Sequence, residues 1–297
     1  MTTITNLHNL PQALVEAVRN DPYTGGGDIS VTKLIDAPQR RVLSRAYQDA
    51  IESDVSERIW ALLGQAVHHI LDRAGTDVLT EERLFAEIGG WQLSGQLDRL
   101  HLGEANLQDY KVTTTYKAKG DPQWEAQLNC LAWLARQNGY MVERTEIVAI
   151  FRDWRKAEAD RNPDYPQLPV QIIPVPLWTE EEMIAYITER VALHRREQDT
   201  PGSVPCTDTE RWYSGNRWAL MKPGGKRALR VLDEKPPAAE VPAGYEVIKR
   251  IGTYRRCESY CEVAPFCAQW SASQNVSLAR RIVTSLSGVS HDDVATA

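Results

Sequence analysis

The chain has 297 residues, of which 42% are hydrophobic and 25% charged, with a formal net charge of −6. This composition supports a packed core and excludes global disorder; the length allows one large domain with an appendage or two smaller ones. The acidic balance excludes a protein that coats nucleic acid by charge alone. Two local basic strips stand out, Lys222, Lys226, Arg227 and Arg230, then Lys249, Arg250, Arg255 and Arg256, and each strip by itself reads as solvated surface.

In chain order, LPQALVEAVRN is a short amphipathic helix, broken by DPYTGGGD. Residues 29–51 read as two short helices. Asp54, with Glu57 three residues on, has capping-box spacing, and Ile59, Leu62, Leu63, Ala66, Val67, Ile70 and Leu71 then recur at helical period up to Gly75. Residues 78–115 change to strands: LFAEIGG, WQLSGQLDRLHL and LQDYKVTTT, with Gly103–Asn106 (GEAN) as the turn between the last two. Asp121 and Pro122 open a helix to 138. TEIVAIFRDW is a strand, VQIIPVPL a strand confined by its prolines to an edge or end, and Thr179–Glu197 a long charged helix. Pro, Gly, Trp, Arg and Cys dominate after Thr200, and such a core-poor segment needs a staple. No internal repeat is present.

No run approaches the roughly 18 apolar residues of a membrane span, and MTTITNLHNL lacks the charged start and apolar core of a signal peptide. A cytoplasmic protein with no membrane partner is expected. Nine Trp against three Phe suits a core first and base stacking second.

The hairpin from Trp91 to Thr115 carries the chemistry. A turn symmetric about Glu104 and Ala105 would set Asp98 across from Lys111 and Leu100 across from Asp109. Strand alternation then puts Asp98, Asp109 and Lys111 on one face, while a one-residue slip would send Asp98 to the other. Two carboxylates beside an ammonium suit a hard cation, Mg²⁺ or Mn²⁺, with a water as nucleophile. The plain alternative is a surface Asp–Lys pair, which is common and worth little.

The surrounding residues resemble the RecB-like branch of the PD-(D/E)XK nucleases. The chain has Gly64-Gln65-Ala66-Val67-His68 on a helix, Gly95-Gln96-Leu97-Asp98 on a strand, Asp109-Tyr110-Lys111 on the next, and Gln127 in the helix WEAQLNCLAWL. This order matches the branch over residues 28–155. The resemblance implies a restriction-endonuclease-like α/β core, a mixed central sheet flanked by helices. It implies metal ligands at His68, Asp98, Asp109 and the Tyr110 carbonyl, catalytic roles for Asp98, Asp109 and Lys111, and an orienting role for Gln127. Gly64 would let other backbone approach closely. His69 is excluded by its spacing from Gly64. Leu131 stands where relatives often have Tyr. Glu87 is a weaker auxiliary acid, read first as solvated.

Cys257-x3-Cys261-x5-Cys267, with Cys206 upstream, can close a tetrahedral Zn²⁺ site or hold a [4Fe–4S] cluster. The segment resembles the iron–sulfur segments of helicase-linked and CRISPR-adaptation nucleases. It departs from them in its x3 spacing and in having Ala37 where the remote cysteine usually lies. A [4Fe–4S] cluster is the expectation, with Zn²⁺ the alternative; Cys130 reads as a buried core thiol.

The expected divisions are an N-terminal segment (1–27), a nuclease core (28–200), a Cys-rich extension (201–270) and a mobile tail (271–297). The expected function is a metal-dependent DNA exonuclease of phage or bacterial recombination and repair, acting on linear or single-stranded DNA ends beside a single-strand annealing protein or a helicase. The alternatives are a CRISPR-adaptation nuclease and a non-catalytic DNA-end-binding scaffold.

Overall fold

In the computed structural model, which describes residues 2–20, 25–75 and 77–274, the chain divides into two units. One holds the residues up to Val42 with Gln48–Val204; the other holds Leu43–Tyr47 with the chain from Pro205 onward. The division falls after Val204, and the composition gives no sign that Leu43–Tyr47 joins the second unit.

The first unit runs β1 (Thr3–Thr5), α1 (Gln12–Arg19), β2 (Ile29–Ser30), α2 (Val31–Leu34), α3 (Pro38–Ala46, whose end lies in the second unit), β3 (Glu52–Asp54), α4 (Val55–Leu71), β4 (Val78–Thr80), β5 (Arg83–Ile88), β6 (Trp91–Gln96), β7 (Arg99–His101), β8 (Asn106–Thr113), α5 (Pro122–Gln137), β9 (Arg144–Phe151), α6 (Lys156–Ala159), β10 (Val170–Val175) and α7 (Glu180–Asp199). It is an α/β fold with mixed sheets flanked by helices.

The helix starts follow from local chemistry. Asp54 Oδ1 accepts the Ser56 N–H at 3.0 Å while Glu57 takes the Asp54 N–H at 3.3 Å, two otherwise unsatisfied donors met reciprocally. Asp121 caps α5 through the Gln123 N–H at 2.9 Å, and Thr179 with Glu182 forms a second capping box at α7.

The five-stranded sheet has the order β10-β9-β8-β7-β4. β8 and β9 are parallel and α5 is their crossover, the helical connection that a parallel pair needs; the other pairs are antiparallel. β10, with Pro174, takes an edge, where a missing ladder donor costs least. β2, β6 and β5 form a second sheet, and β1 pairs with β3. Leu93, Leu97, Leu107, Leu128, Leu134 and Ile147 are fully buried in the core, joined by Met183 and Ile187 of α7.

Two expectations about the hairpin are corrected. Trp91–Leu102 is not one strand: β6 pairs with β5, β7 pairs with β8, and the chain changes sheet at Leu97 and Asp98. The turn is also centred one residue earlier than a symmetric GEAN turn. His101 pairs with Asn106 and Leu100 with Leu107, so Asp98 comes level with Asp109 rather than Lys111. The cause is a loop that uses Leu102–Ala105, with Ala105 at φ +48°. A two-residue change of partner keeps every side chain on its own face, so the three charged groups still converge.

The second unit contains β11 (Arg217–Met221), β12 (Arg230–Leu232), β13 (Glu246–Arg250) and α8 (Arg255–Ser259). The strands form an antiparallel sheet in the order β12-β11-β13, which the irregular apolar pattern did not announce. A helix covers 268–274, so residues 271–274 are helical rather than part of a mobile tail; the rest of that tail, 275–297, lies outside the described residues. Among the described residues no helix is long and apolar enough to cross a membrane.

Candidate metal centre

The change of sheet at Leu97–Asp98 builds the centre. β7 leaves β8 after Arg99, so the backbone of β8 beyond Gln108 has no strand partner on that side, and Asp98 replaces it: Asp98 Oδ2 accepts the Tyr110 N–H at 2.7 Å. α4 packs against β8 and brings in His68. Its Nε2 lies 3.1 Å from the Tyr110 carbonyl, and its Nδ1 lies 3.3 Å from Glu81 Oε1 and 3.5 Å from Asp98 Oδ1. Glu81 sits between β4 and β5 at φ +49°; its other oxygen accepts from Gln96 Nε2 at 2.6 Å. Next along β8, Asp109 is 1% exposed, ion-paired to Lys111 Nζ at 2.6 Å and hydrogen-bonded by Gln127 Nε2 at 2.9 Å.

Among the described residues, His68, Glu81 and Asp98 form the one set of three metal-ligand side chains whose ligand atoms all lie within 4.8 Å of one another. One imidazole and two carboxylates can hold a divalent cation. The electrostatics fit one as well. Burial pushes the Asp98 carboxyl up, and neighbouring Asp109 pushes it further, to about 7. The hydrogen bond to Glu81 raises the His68 imidazole to about 9, against the opposing effect of burial, with Asp98 assisting. Burial disfavours the Lys111 ammonium, yet Asp109 and Asp98 leave its pKa raised overall. These carboxylates are short of positive charge, which His68 supplies by holding a proton. A bound cation would supply that charge directly and release the imidazole to ligate as the neutral base.

The sequence matches no protein-family model and no curated protein. Among solved structures, the crystal structure of SSO0001 is similar, with 19% identity and a TM-score of 0.46 over 67% of this chain and 90% of that one. A likeness that slight has no bearing on function.

The structure therefore brings His68, Asp98, Asp109, Tyr110, Lys111 and Gln127 together, in two adjoining groups along β8. Asp98 and His68 belong to the close triad. Asp109 is engaged by Lys111 and Gln127, and the Tyr110 carbonyl faces the His68 ring. The third member of the triad, Glu81, was missed from sequence. It lies in a connection with no periodicity, and only its left-handed backbone turns its side chain inward. Glu87 is exposed in β5 and stands outside the triad. The role assigned to Gly64 is also corrected: a Cβ there would meet nothing within 4 Å, whereas one on Gly95 would lie 2.5 Å from Leu131 Cδ2 and 2.8 Å from Leu134 Cδ1. Gly95 is the glycine under steric demand, because β6 lies directly on α5.

In the second unit, Cys206, Cys257, Cys261 and Cys267 are brought near one another. The Cys206 thiol is pushed up to about 12, first by burial, then by Glu210 and each of the other three thiols. Gln269 holds Cys206 at both backbone atoms, its Oε1 accepting the N–H at 3.0 Å and its Nε2 donating to the carbonyl at 2.8 Å. The Trp270 N–H donates to Cys267 Sγ at 3.4 Å. No three of these sulfurs lie within 4.8 Å of one another; a tetrahedral zinc site, with bonds near 2.3 Å, holds its sulfurs about 3.8 Å apart. Cys130, on α5 of the first unit, is buried and its thiol is pushed up to about 12 by that burial, as fits a core residue.

Proposed function

We propose that this protein is a Mg²⁺- or Mn²⁺-dependent deoxyribonuclease that trims linear DNA from its ends. The observation that carries the reading is the His68–Glu81–Asp98 triad placed beside the Lys111–Asp109 pair. His68, Glu81 and Asp98 would hold the ion, and the bound ion supplies neutralisation of phosphoryl charge and an acidified water. The remaining work falls to the chain's own residues. Gln127 fixes Asp109, Asp109 fixes the Lys111 ammonium, and that ammonium is placed to meet a phosphoryl oxygen as its charge grows. Trp60, 56% exposed on the same helix as His68 and overlaid by the Arg152 guanidinium at 3.8 Å, offers a ring on which an unpaired base can stack.

The test is digestion of linear and circular DNA by the full chain with Mg²⁺, Mn²⁺ or EDTA. Loss of linear DNA alone, with either metal and not in EDTA, is expected. Lys111→Ala and Asp98→Asn should each lower the rate by about 10²–10³-fold or more, the scale of one lost electrostatic stabiliser, with unchanged circular dichroism. Cleavage that persists in EDTA or in both variants removes the reading.

We further propose that the four cysteines hold a [4Fe–4S] cluster, with Zn²⁺ the alternative. The cluster would join residues 206 and 257–267, which have few buried apolar side chains of their own. A brown protein absorbing near 400 nm (roughly, as such clusters do) and carrying iron is expected; a colourless protein containing zinc overturns the assignment.

A further inference from the structure

We propose that the β11–β13 sheet of the second unit is a binding surface for single-stranded DNA in its own right. The first observation is a charge asymmetry. Residues 217–256 hold ten Lys or Arg against four Asp or Glu, a net of +6 within a chain of −6, so the other 257 residues carry −12. Positive charge is thus concentrated in forty residues of an otherwise acidic protein. The strands expose it: Arg217, Arg230, Lys249 and Arg250 are all solvent-facing, as are Lys222, Lys226 and Arg227 between β11 and β12.

The second observation is how the register arranges these cations. Arg217 lies directly opposite Arg250, and its guanidinium is already ion-paired to Asp233 at 3.1 Å. Trp218 lies directly opposite Lys249, whose ammonium is 5.8 Å from the indole centroid. Alternation puts Arg230 on that same face, since its partner Leu220 is two residues from Trp218. At the end of the sheet Lys222 stands 5.9 Å from the Tyr245 ring. Val231 and Ile248, 40% and 39% exposed, both pair with Ala219 and so lie on the other face of the sheet.

Cations beside aromatic rings match a ligand that is a chain of phosphates carrying unpaired flat bases. A duplex would engage the cations and leave the rings unused, because its bases are stacked inside. An anionic membrane or an acidic protein would match the charge but not the ring-and-cation pairing.

The experiment measures anisotropy of labelled oligo(dT) with the full chain in EDTA, over a range of salt. Hydrolysis is absent there, so the outcome is independent of the nuclease reading. Arg230→Glu/Lys249→Glu should weaken binding about tenfold or more and reduce the log–log salt slope by about 1.4, the share of two phosphate contacts on a single strand. Arg155→Glu/Lys156→Glu, which makes the same charge change on α6 of the first unit and its N-cap, should stay within twofold. The proposal is overturned if the folded sheet variant binds like wild type, or if both variants lose affinity alike. Tighter binding of duplex DNA, of anionic phosphatidylserine vesicles or of poly-glutamate than of oligo(dT) at equal salt overturns it as well.

Discussion

α5 and α4 both deliver a side chain to the candidate centre, and they are built on opposite terms. α5 buries ten of its sixteen residues, on adjacent positions around the helix, including Leu128, Leu131, Trp133 and Leu134. α4 is one residue longer and buries only Val55; Trp60, Leu63 and Ile70 are 56%, 39% and 66% exposed. What places α4 is polar and local. Asp54 caps it while also accepting the Leu7 N–H at 2.7 Å and the Thr5 hydroxyl at 3.0 Å, and His68 bonds to Glu81 and the Tyr110 carbonyl. The difference teaches that the two halves of the centre are held by different physics. The hydrophobic core sets Asp109 and Lys111 through Gln127, whereas a handful of hydrogen bonds sets His68.

Truncation is the most forceful way to break that comparison. Leu128 is wholly buried, so Leu128→Ala loses transfer energy and leaves a cavity, at a cost of about 2–5 kcal/mol. Leu63→Ala in α4 removes a side chain already 39% in water and should stay within about 0.5–1 kcal/mol. Urea denaturation of the two variants measures both. Equal losses would mean that α4 is held by apolar packing after all.

The same contrast governs what could be read from sequence. α5, α7, β9 and β10 were legible because caps, prolines and alternation agree with burial. The apolar repeat of α4 gave the helix and left its burial open: a 3.6-residue period says which residues share a face, not what covers it. Asp98, Asp109 and Lys111 were placed on one face despite a mistaken partner, since parity survives a two-residue change. Glu81 was illegible because it comes from a connection where backbone conformation, not period, aims the side chain. The β11–β13 sheet was hidden for a related reason: its strands are short, β12 and β13 are largely exposed, and the buried residues of β11, Ala219, Leu220 and Met221, are consecutive rather than alternating.

Titration sharpens the comparison with a middle-sized effect. His194 of α7 is buried and accepts from Arg41 Nε at 3.1 Å on Nδ1 while Nε2 donates to the Leu34 carbonyl at 3.0 Å. Burial first, then Arg190 and Arg41, lower it from 6.5 to about 4. The unfolded chain thus binds this proton more readily, and the stability His194 confers is complete above 6.5 and lost as pH falls towards 4. Asp98 acts in the reverse sense: its folded value is raised from 3.8 to about 7, so its contribution is lost as pH rises through that interval. In metal-free protein the two oppose each other between pH 4 and 6.5. Asp98→Asn should therefore steepen the loss of thermal stability on acidification, and His194→Gln should flatten or invert it. Parallel profiles for wild type and both variants, measured by thermal melts, would show that neither group is coupled to folding.

The smallest effect separates stability from use on the exposed helix. A Cβ at Gly64 has open space around it, and alanine is favoured over glycine inside a helix by about 0.8–1.0 kcal/mol. Gly64→Ala should therefore stabilise the protein by up to about 1 kcal/mol in urea titration. If α4 serves only to carry His68, cleavage should stay within twofold of wild type. A variant that melts higher yet cleaves more slowly would instead show that substrate backbone passes close over Gly64, one turn before the imidazole. The bare surface of α4 would then be the floor of the DNA path, and its sparse burial the cost of keeping that face open.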